Sequence, residues 1–316
     1  MNDFAEIIKK INKANDIAIY CHTNPDGDAL GSMLALGFAL EKKGKKVALF
    51  CDSPISVRNS KFVGSEKISL PNNKVFDLGI AVDSSELDRL GGCVKSFLSC
   101  KSQIAIDHHK SFKRFTETCY VDKDACACAQ IIFKLLKEMK LIDKTVAELL
   151  FGGIVTDSGC FAFPSVTPET HEIAAELMEY GFDAALAIYD TFRSTSVERF
   201  NLKCRALNGA KFYCDNQIGV IVFRIADFKA TATTTVDTEG IINELIDVES
   251  VKVAYALSEV ADKNFKLSIR SKDPIDASEI AGLYGGGGHK NAAGCRVNGY
   301  LEDVIERIVK LASDRI

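Results

Sequence analysis

No apolar run in the 316-residue chain reaches the roughly 20 residues that a helix needs to cross a bilayer. No membrane-spanning segment is therefore expected. The N-terminus, MNDFAEIIKKINKANDIAIY, lacks the charged, apolar, small-residue order of a secretory signal. It reads as an amphipathic helix entering a strand, and a cytoplasmic location is expected. Basic excess is missing too. The chain carries 39 Lys and Arg against 43 Asp and Glu, a formal net charge of -4. A protein that coats long duplex nucleic acid is normally basic, so that class is set aside. A small anionic substrate is not, because bound cations supply positive charge locally. The 11 cysteines contain no Cys-x-x-Cys pair and have irregular spacing. They read as small buried hydrophobes in a reducing compartment, not as a metal site.

The hydrophobic fraction is 47%, enough for packed cores, and the length suggests two domains. In the first half, IAIYC (from Ile17), KVALFC, LGIAVD (from Leu78) and QIAID (from Gln103) read as short strands. Helical patterns alternate with them, from Asp28 to Gly44, over 125–139 and over 145–155. Thr167 and Pro168 open another helix, which Gly181 closes. This alternation predicts an α/β fold with a doubly wound parallel sheet. A charged helix over about 194–211 follows. The second half has longer alternating strands, IGVIVFRI, VKVAYALSEV and FKLSIRS. A short helix, a glycine run, the strand AAGCRV and a final helix from Leu301 complete a smaller mixed α/β domain. The expected organisation is a first domain over 1–190, a connecting helix over 191–211 and a second domain over 212–316.

Histidine is scarce, with five in the chain, yet four of them sit in acidic or glycine-rich motifs. His22-Thr-Asn-Pro-Asp26-Gly-Asp28 follows the first strand and opens the next helix. Its turn can aim His22, Asp26 and Asp28 at the carboxyl end of the sheet, where such folds place ligands. A helix cap is the plain alternative, for Asp28 above all. Asp83 ends a second strand, and Asp107-His108-His109 ends a third. Neighbouring side chains in an extended stretch point to opposite sides, so one histidine can bind metal while the other faces substrate. Asp107 can steady an imidazole from behind. Asp157 follows the apolar pattern TVAELLFGGIV, where an unpaired acid would be costly. Two histidines and four aspartates exceed what one open catalytic metal site uses. Two divalent cations sharing a bridging carboxylate would use them all. Such a pair activates a water and steadies the oxygens of a phosphoryl displacement. The ligand set favours manganese, with magnesium or another transition metal as alternatives.

The segment Gly285-Gly286-Gly287-Gly288-His289-Lys290 offers backbone NH groups to an anion. It is neither a P-loop nor a dinucleotide fingerprint. The plain alternative is a flexible surface loop.

Together these motifs resemble the DHH phosphoesterase superfamily: His-x-x-Pro-Asp-x-Asp-Ala-x-Gly-Ser, an isolated Asp, Asp-His-His, Thr-Asp-Ser-Gly and a terminal GGGGH. The resemblance runs from about Ile17 to Arg296. It is greatest to the stand-alone branch that cleaves oligoribonucleotides and 3′-phosphoadenosine 5′-phosphate (pAp). It implies one cation held by His22, Asp26 and Asp83, and a second held by Asp28, Asp83, His108 and Asp157. It also implies that His109 faces the scissile phosphate, with His108, His109 and Asp83 at the catalytic centre. Arg270, Gly286, Gly287, Gly288 and His289 match the family's substrate contacts. Short RNA oligonucleotides, linear dinucleotides or a nucleotide bisphosphate are the implied substrates, and homodimers are common in the family. A pyrophosphate or polyphosphate hydrolase and a non-catalytic nucleotide sensor are the rival readings.

Overall fold

The computed structural model describes residues 4–56 and 59–316, the His289 side chain excepted. The chain divides into two compact units, 1–194 and 195–316. No helix among the described residues is long and apolar enough to cross a membrane.

The first unit runs α1 (Ala5–Lys13), β1 (Asp16–Tyr20), α2 (Gly27–Lys42), β2 (Lys46–Phe50), β3 (Ile68–Ser69), β4 (Leu78–Val82) and α3 (Val94–Ser99). It continues with β5 (Gln103–Asp107), β6 (Thr118–Val121), α4 (Cys128–Glu138), α5 (Lys144–Asp157), α6 (Pro168–Met178) and α7 (Ala184–Ile188). Its six strands form one parallel sheet in the order β3-β2-β1-β4-β5-β6. Both faces of the sheet are covered, as the continuous apolar runs require. Ile17 and Ile19 pack in the core that holds Leu30 and Met33 of α2 and Leu150 and Ile154 of α5. Ala18 and Tyr20 face the other way, into a smaller cluster with Phe97 of α3. The strand order reverses between β1 and β4. That switch point opens the crevice in which such sheets bind ligands, beyond their carboxyl ends.

Glycine lets the helices on the larger core approach one another closely. A Cβ at Gly31 of α2 would stand 2.5 Å from the Leu149 carbonyl oxygen of α5. One at Gly153 of α5 would stand 2.8 Å from the Ala129 Cβ of α4. The three helices are thereby pressed together near Asp28 of α2 and Asp157 of α5.

The second unit runs α8 (Val197–Asn208), β7 (Lys211–Tyr213), β8 (Ile218–Phe223), α9 (Ile225–Thr231), α10 (Asn243–Ile246) and β9 (Val253–Ala261). It ends with β10 (Asn264–Ser271), α11 (Ala277–Gly282), β11 (Gly287–His289), β12 (Ala292–Asn298) and α12 (Leu301–Ser313). The charged helix α8 belongs to this unit. Its mixed sheet has the order β11-β12-β10-β9-β8-β7, with β8 and β9 the parallel pair. Val304, Ile308 and Ala312 of α12 pack with Ile280 of α11 in one core. Leu202 of α8, Phe228 of α9 and Leu245 of α10 pack in another.

Part of the glycine run is a strand and not a surface loop. Gly287–His289 form β11, an edge strand antiparallel to β12. The cause is steric. A Cβ at Gly288, where φ is +149°, would stand 2.5 Å from the Ala292 carbonyl oxygen, and one at Gly286 would strike the Gly294 carbonyl. Bare backbone is what allows this hairpin to close.

Candidate metal centre

The first motif sits at the carboxyl end of β1. Asn24 takes a left-handed conformation, φ 53°, and turns the chain back into α2. Asp26 is the N-cap of α2, its Oδ1 accepting from Ala29 NH at 3.0 Å. The cap is therefore Asp26, not Asp28. Asp28 is the second residue of α2, within its first turn, and reaches a different helix. Its Oδ2 accepts from Cys128 NH at 2.6 Å and its Oδ1 from Ala129 NH at 2.8 Å. Asp28 thus caps α4, whose own N-cap residue, Ala127, has no side-chain acceptor. Ser32, fully buried, donates to Asp28 Oδ1 at 3.3 Å.

Asp83 follows β4 in a left-handed conformation, φ 52°, and is 2% exposed. An aspartate tolerates that backbone better than most residues, and strain of this kind gathers at functional sites. Its two oxygens are shared out. Oδ2 lies 3.6 Å from His22 Nε2, and Oδ1 lies 3.5 Å from His108 Nε2. Asp26 Oδ2 is 3.7 Å from His22 Nε2. Asp157 Oδ2 is 3.5 Å, and Asp28 Oδ2 3.9 Å, from His108 Nε2. Each histidine turns Nε2 inward because Nδ1 faces a carbonyl, that of Thr23 for His22 at 2.9 Å and that of Ala125 for His108 at 3.2 Å. Such carbonyl contacts fix the tautomer of metal-binding histidines.

The structure thus brings all six predicted ligands together. Ligand atoms of His22, Asp26 and Asp83 lie within 4.8 Å of one another, and so do those of Asp28, His108 and Asp157. A third group, Asp83, His108 and His109, overlaps both. His109 is held from behind, its Nδ1 2.7 Å from Asp107 Oδ1. The same oxygen accepts from His108 NH at 2.9 Å. Asp107 is fully buried, as expected of a residue that steadies an imidazole.

The electrostatics fit cations. Burial, joined by Asp83, pushes the Asp28 carboxyl up to about 7. Burial and the neighbouring Asp28 push Asp157 well above the carboxylate range. Burial works against charging Asp83, yet His108 and His22 hold it well below that range. Burial likewise opposes charging His22 and His108, and the surrounding carboxylates outweigh it and raise both well above the imidazole range. Four aspartates in one buried cluster cannot all ionise without positive charge among them. Asp157 makes the point locally. It is the last residue of α5, where the helix dipole disfavours an acid. Asp83 Oδ1, buried, has no hydrogen-bond donor. The chemistry of these donors suits hard or borderline divalent ions. No cysteine joins the groups, and all 11 are free thiols.

The remaining predicted residues lie in the second unit. Arg270 of β10 pairs with Ala292 of β12, and Ala292 pairs with His289 of β11. The backbones of Arg270 and His289 thus share one rung, two strands apart. Arg270 is half-buried and donates to its neighbour's carbonyl, Ile269 O, at 3.1 Å. Lys290, next to His289, is paired with Asp273 at 2.7 Å.

Comparison with known proteins agrees with this picture. Residues 16–154 match the DHH family, N-terminal domain, and residues 217–316 match the DHHA1 domain. The bifunctional oligoribonuclease and PAP phosphatase NrnA of Thermus thermophilus is 32% identical over 99% of this chain and 93% of its own length. The Bacillus subtilis protein of the same name is 25% identical over 96% of each. An exopolyphosphatase-related protein from Bacteroides fragilis superposes with a TM-score of 0.90 at 25% identity, covering 97% of this chain and 94% of its own. RecJ from T. thermophilus shares the fold, with a TM-score of 0.59 at 14% identity over 99% of this chain and 54% of its own. With both domain matches in sequence order and a relative above 30% identity along nearly the full length, the chain belongs to the DHH family.

Proposed function

We propose that this chain is a phosphoesterase that hydrolyses short oligoribonucleotides, linear dinucleotides such as pApA, and pAp to mononucleotides with two divalent cations, manganese foremost. One observation carries the reading: the two oxygens of Asp83 are divided between His22 and His108. The full-length relatives named oligoribonuclease and PAP phosphatase support the substrate class. In this proposal His22, Asp26 and Asp83 hold one cation, and Asp28, Asp83, His108 and Asp157 the other. When bound, the pair neutralises phosphoryl oxygens and makes water acidic enough to attack at neutral pH.

The protein's own groups do the rest. Asp83 sets the spacing of the two ligand sets. Asp107 fixes His109 through Nδ1, and His109 Nε2 hands a proton to the leaving oxygen. Arg270, Gly286, Gly287, Gly288 and His289 supply substrate contacts. Arg270 suits an anion because burial disfavours its charge and Glu239 only partly offsets that. A homodimer in the cytoplasm completes the proposal, and sedimentation analysis tests the dimer.

The deciding assay incubates the protein with manganese and pApA and follows AMP by chromatography. AMP forms with manganese and stops with a chelator. Tight pApA binding without AMP would replace the proposal with a nucleotide sensor. Phosphate released from pyrophosphate, with pApA untouched, would replace it with a pyrophosphatase.

A further inference from the structure

Beside the metal centre, on the same unit, stands a cation that the two-metal scheme does not use. Arg89 lies on the short 3-10 segment Leu87–Cys93, and its side chain is exposed. Its Nη2 is 3.4 Å from His22 Nδ1. That contact is not a hydrogen bond once Nδ1 carries the proton it gives to Thr23 O at 2.9 Å, because both nitrogens are then donors. None of the ion pairs among the described residues includes Arg89. A guanidinium with unspent donors next to a cluster meant for cations is repelled by them. An anion between the two turns that repulsion into attraction.

The backbone around Arg89 is built to stay there. Thr23 NH donates to Arg89 O at 2.8 Å, tying the segment to the His22–Asp26 turn. Gly92 NH donates to Asp52 Oδ2 at 2.6 Å. A Cβ at Gly91, where φ is +55°, would strike Thr23, and one at Gly92 would stand 2.8 Å from Asp52 Oδ1. Two consecutive glycines let the segment lie flat against the mouth of the site. An ordinary surface arginine has no need of such a mount.

We infer that Arg89 is a substrate-binding residue whose guanidinium takes a non-reacting phosphate, the one next to the phosphate under attack. His22 turns Nε2 toward Asp26 and Asp83 and Nδ1 toward Arg89, so Arg89 is one imidazole width removed from the ligand cluster. It is misplaced for the reacting phosphoryl group and well placed for its neighbour. The preferred substrates then carry a phosphate monoester beside the scissile ester, as pApA and pAp do and ApA does not. This inference rests on the phosphoesterase reading.

The test compares pApA with ApA in wild type and Arg89→Gln, with manganese affinity measured by calorimetry on both proteins. A charge-assisted bidentate contact is worth about tenfold in affinity. Arg89→Gln should raise KM for pApA about tenfold and collapse the pApA preference, with manganese affinity kept and Arg89→Lys recovering part of the loss. An unchanged pApA:ApA ratio overturns the inference. So does weakened manganese binding with the ratio intact, which would make Arg89 a prop for His22. If wild type cleaves neither compound, the phosphoesterase reading fails separately. The ratio of pApA to ApA binding, read by calorimetry, then decides the role of Arg89 in the same way.

Discussion

Asp28 of α2 and Cys128 at the start of α4 are joined by a 2.6 Å hydrogen bond across 100 residues of chain. With Ala129 NH on its other oxygen, Asp28 satisfies two of the donors that a helix N-terminus leaves open. An acid proposed to hold a cation therefore also fastens one helix to another. Replacing it with alanine leaves two buried NH groups without acceptors. Asp28→Ala should lower stability by about 2 kcal/mol or more even with a chelator present. Urea unfolding in EDTA measures this. Unchanged stability would show that α4 finds another cap.

Asp83 should behave differently. It fastens no helix, but it faces His22 and His108 and is held charged by them, so its loss from the metal-free protein gives up those ion pairs. Asparagine is the cleaner replacement for folding studies, because alanine tolerates the left-handed φ of 52° less well. Asp83→Asn, Asp83→Ala and His108→Ala should each cut turnover by at least about a hundredfold, the upper scale for losing even an indirect partner of a metal site. Circular dichroism should show folded protein in each case. A folded variant with wild-type turnover would remove the two-cation assignment.

The contrast between these two aspartates shows how far the sequence could be read. β1, β4 and β5 are central strands, buried on both faces, so each appears as an unbroken apolar run with its polar motif at the end. Edge strands leave a weaker mark. β3 is two residues long, β6 (TCYV) is half-buried, and β11 is built from glycine, so periodicity shows none of them. The six ligand candidates were legible because an acid or imidazole directly after an apolar run has few structural uses. The anchoring of α4 by Asp28 was not, since it joins residues 100 apart. One signal pointed toward it: α4 begins Ala127-Cys128 with no capping side chain of its own, so its NH groups needed a distant acceptor. Arg89 gave no periodic signal at all. Its place depends on a fold-dependent contact with Thr23.

Asp107 offers a test of positioning. Its Oδ1 serves both His108 NH and His109 Nδ1, while its Oδ2 is buried without a partner. In Asp107→Asn the amide oxygen can keep the Oδ1 contacts, and the NH2 group takes the place of the buried, unpartnered Oδ2. His109 loses the negative charge behind it. Turnover should fall about tenfold to a hundredfold while KM changes little. Equal losses in both constants would mean that the site had distorted instead.

Manganese binding should depend on pH with a definite sign. Burial and neighbouring acids raise Asp28 to about 7 and Asp157 well above its range. Burial opposes charging His22 and His108, but their carboxylate neighbours raise both. In the metal-free protein these four groups hold protons that the ligands must shed. Each raised group releases its proton on binding, so affinity should climb from pH 6 to pH 8. Calorimetry in two buffers of different ionisation enthalpy counts the protons released. A flat affinity profile would mean that the cluster is already deprotonated.

Two adjacent glycines separate packing from substrate contact in the second unit. At Gly288 a Cβ meets the Ala292 carbonyl oxygen at 2.5 Å, and φ is +149°. At Gly287 nothing lies within 4 Å of the added atom. Gly288→Ala should therefore cost about 1–3 kcal/mol, the range for forced overpacking. Gly287→Ala should leave thermal stability alone, because the methyl group enters open space. If substrate approaches β11 at bare backbone, the same methyl group stands in its way. KM for pApA should then rise several-fold in Gly287→Ala with the melting temperature unchanged. Wild-type KM in that variant would mean that the glycines of β11 exist for the hairpin alone, and the substrate contacts proposed for Gly286, Gly287 and Gly288 would have to be withdrawn.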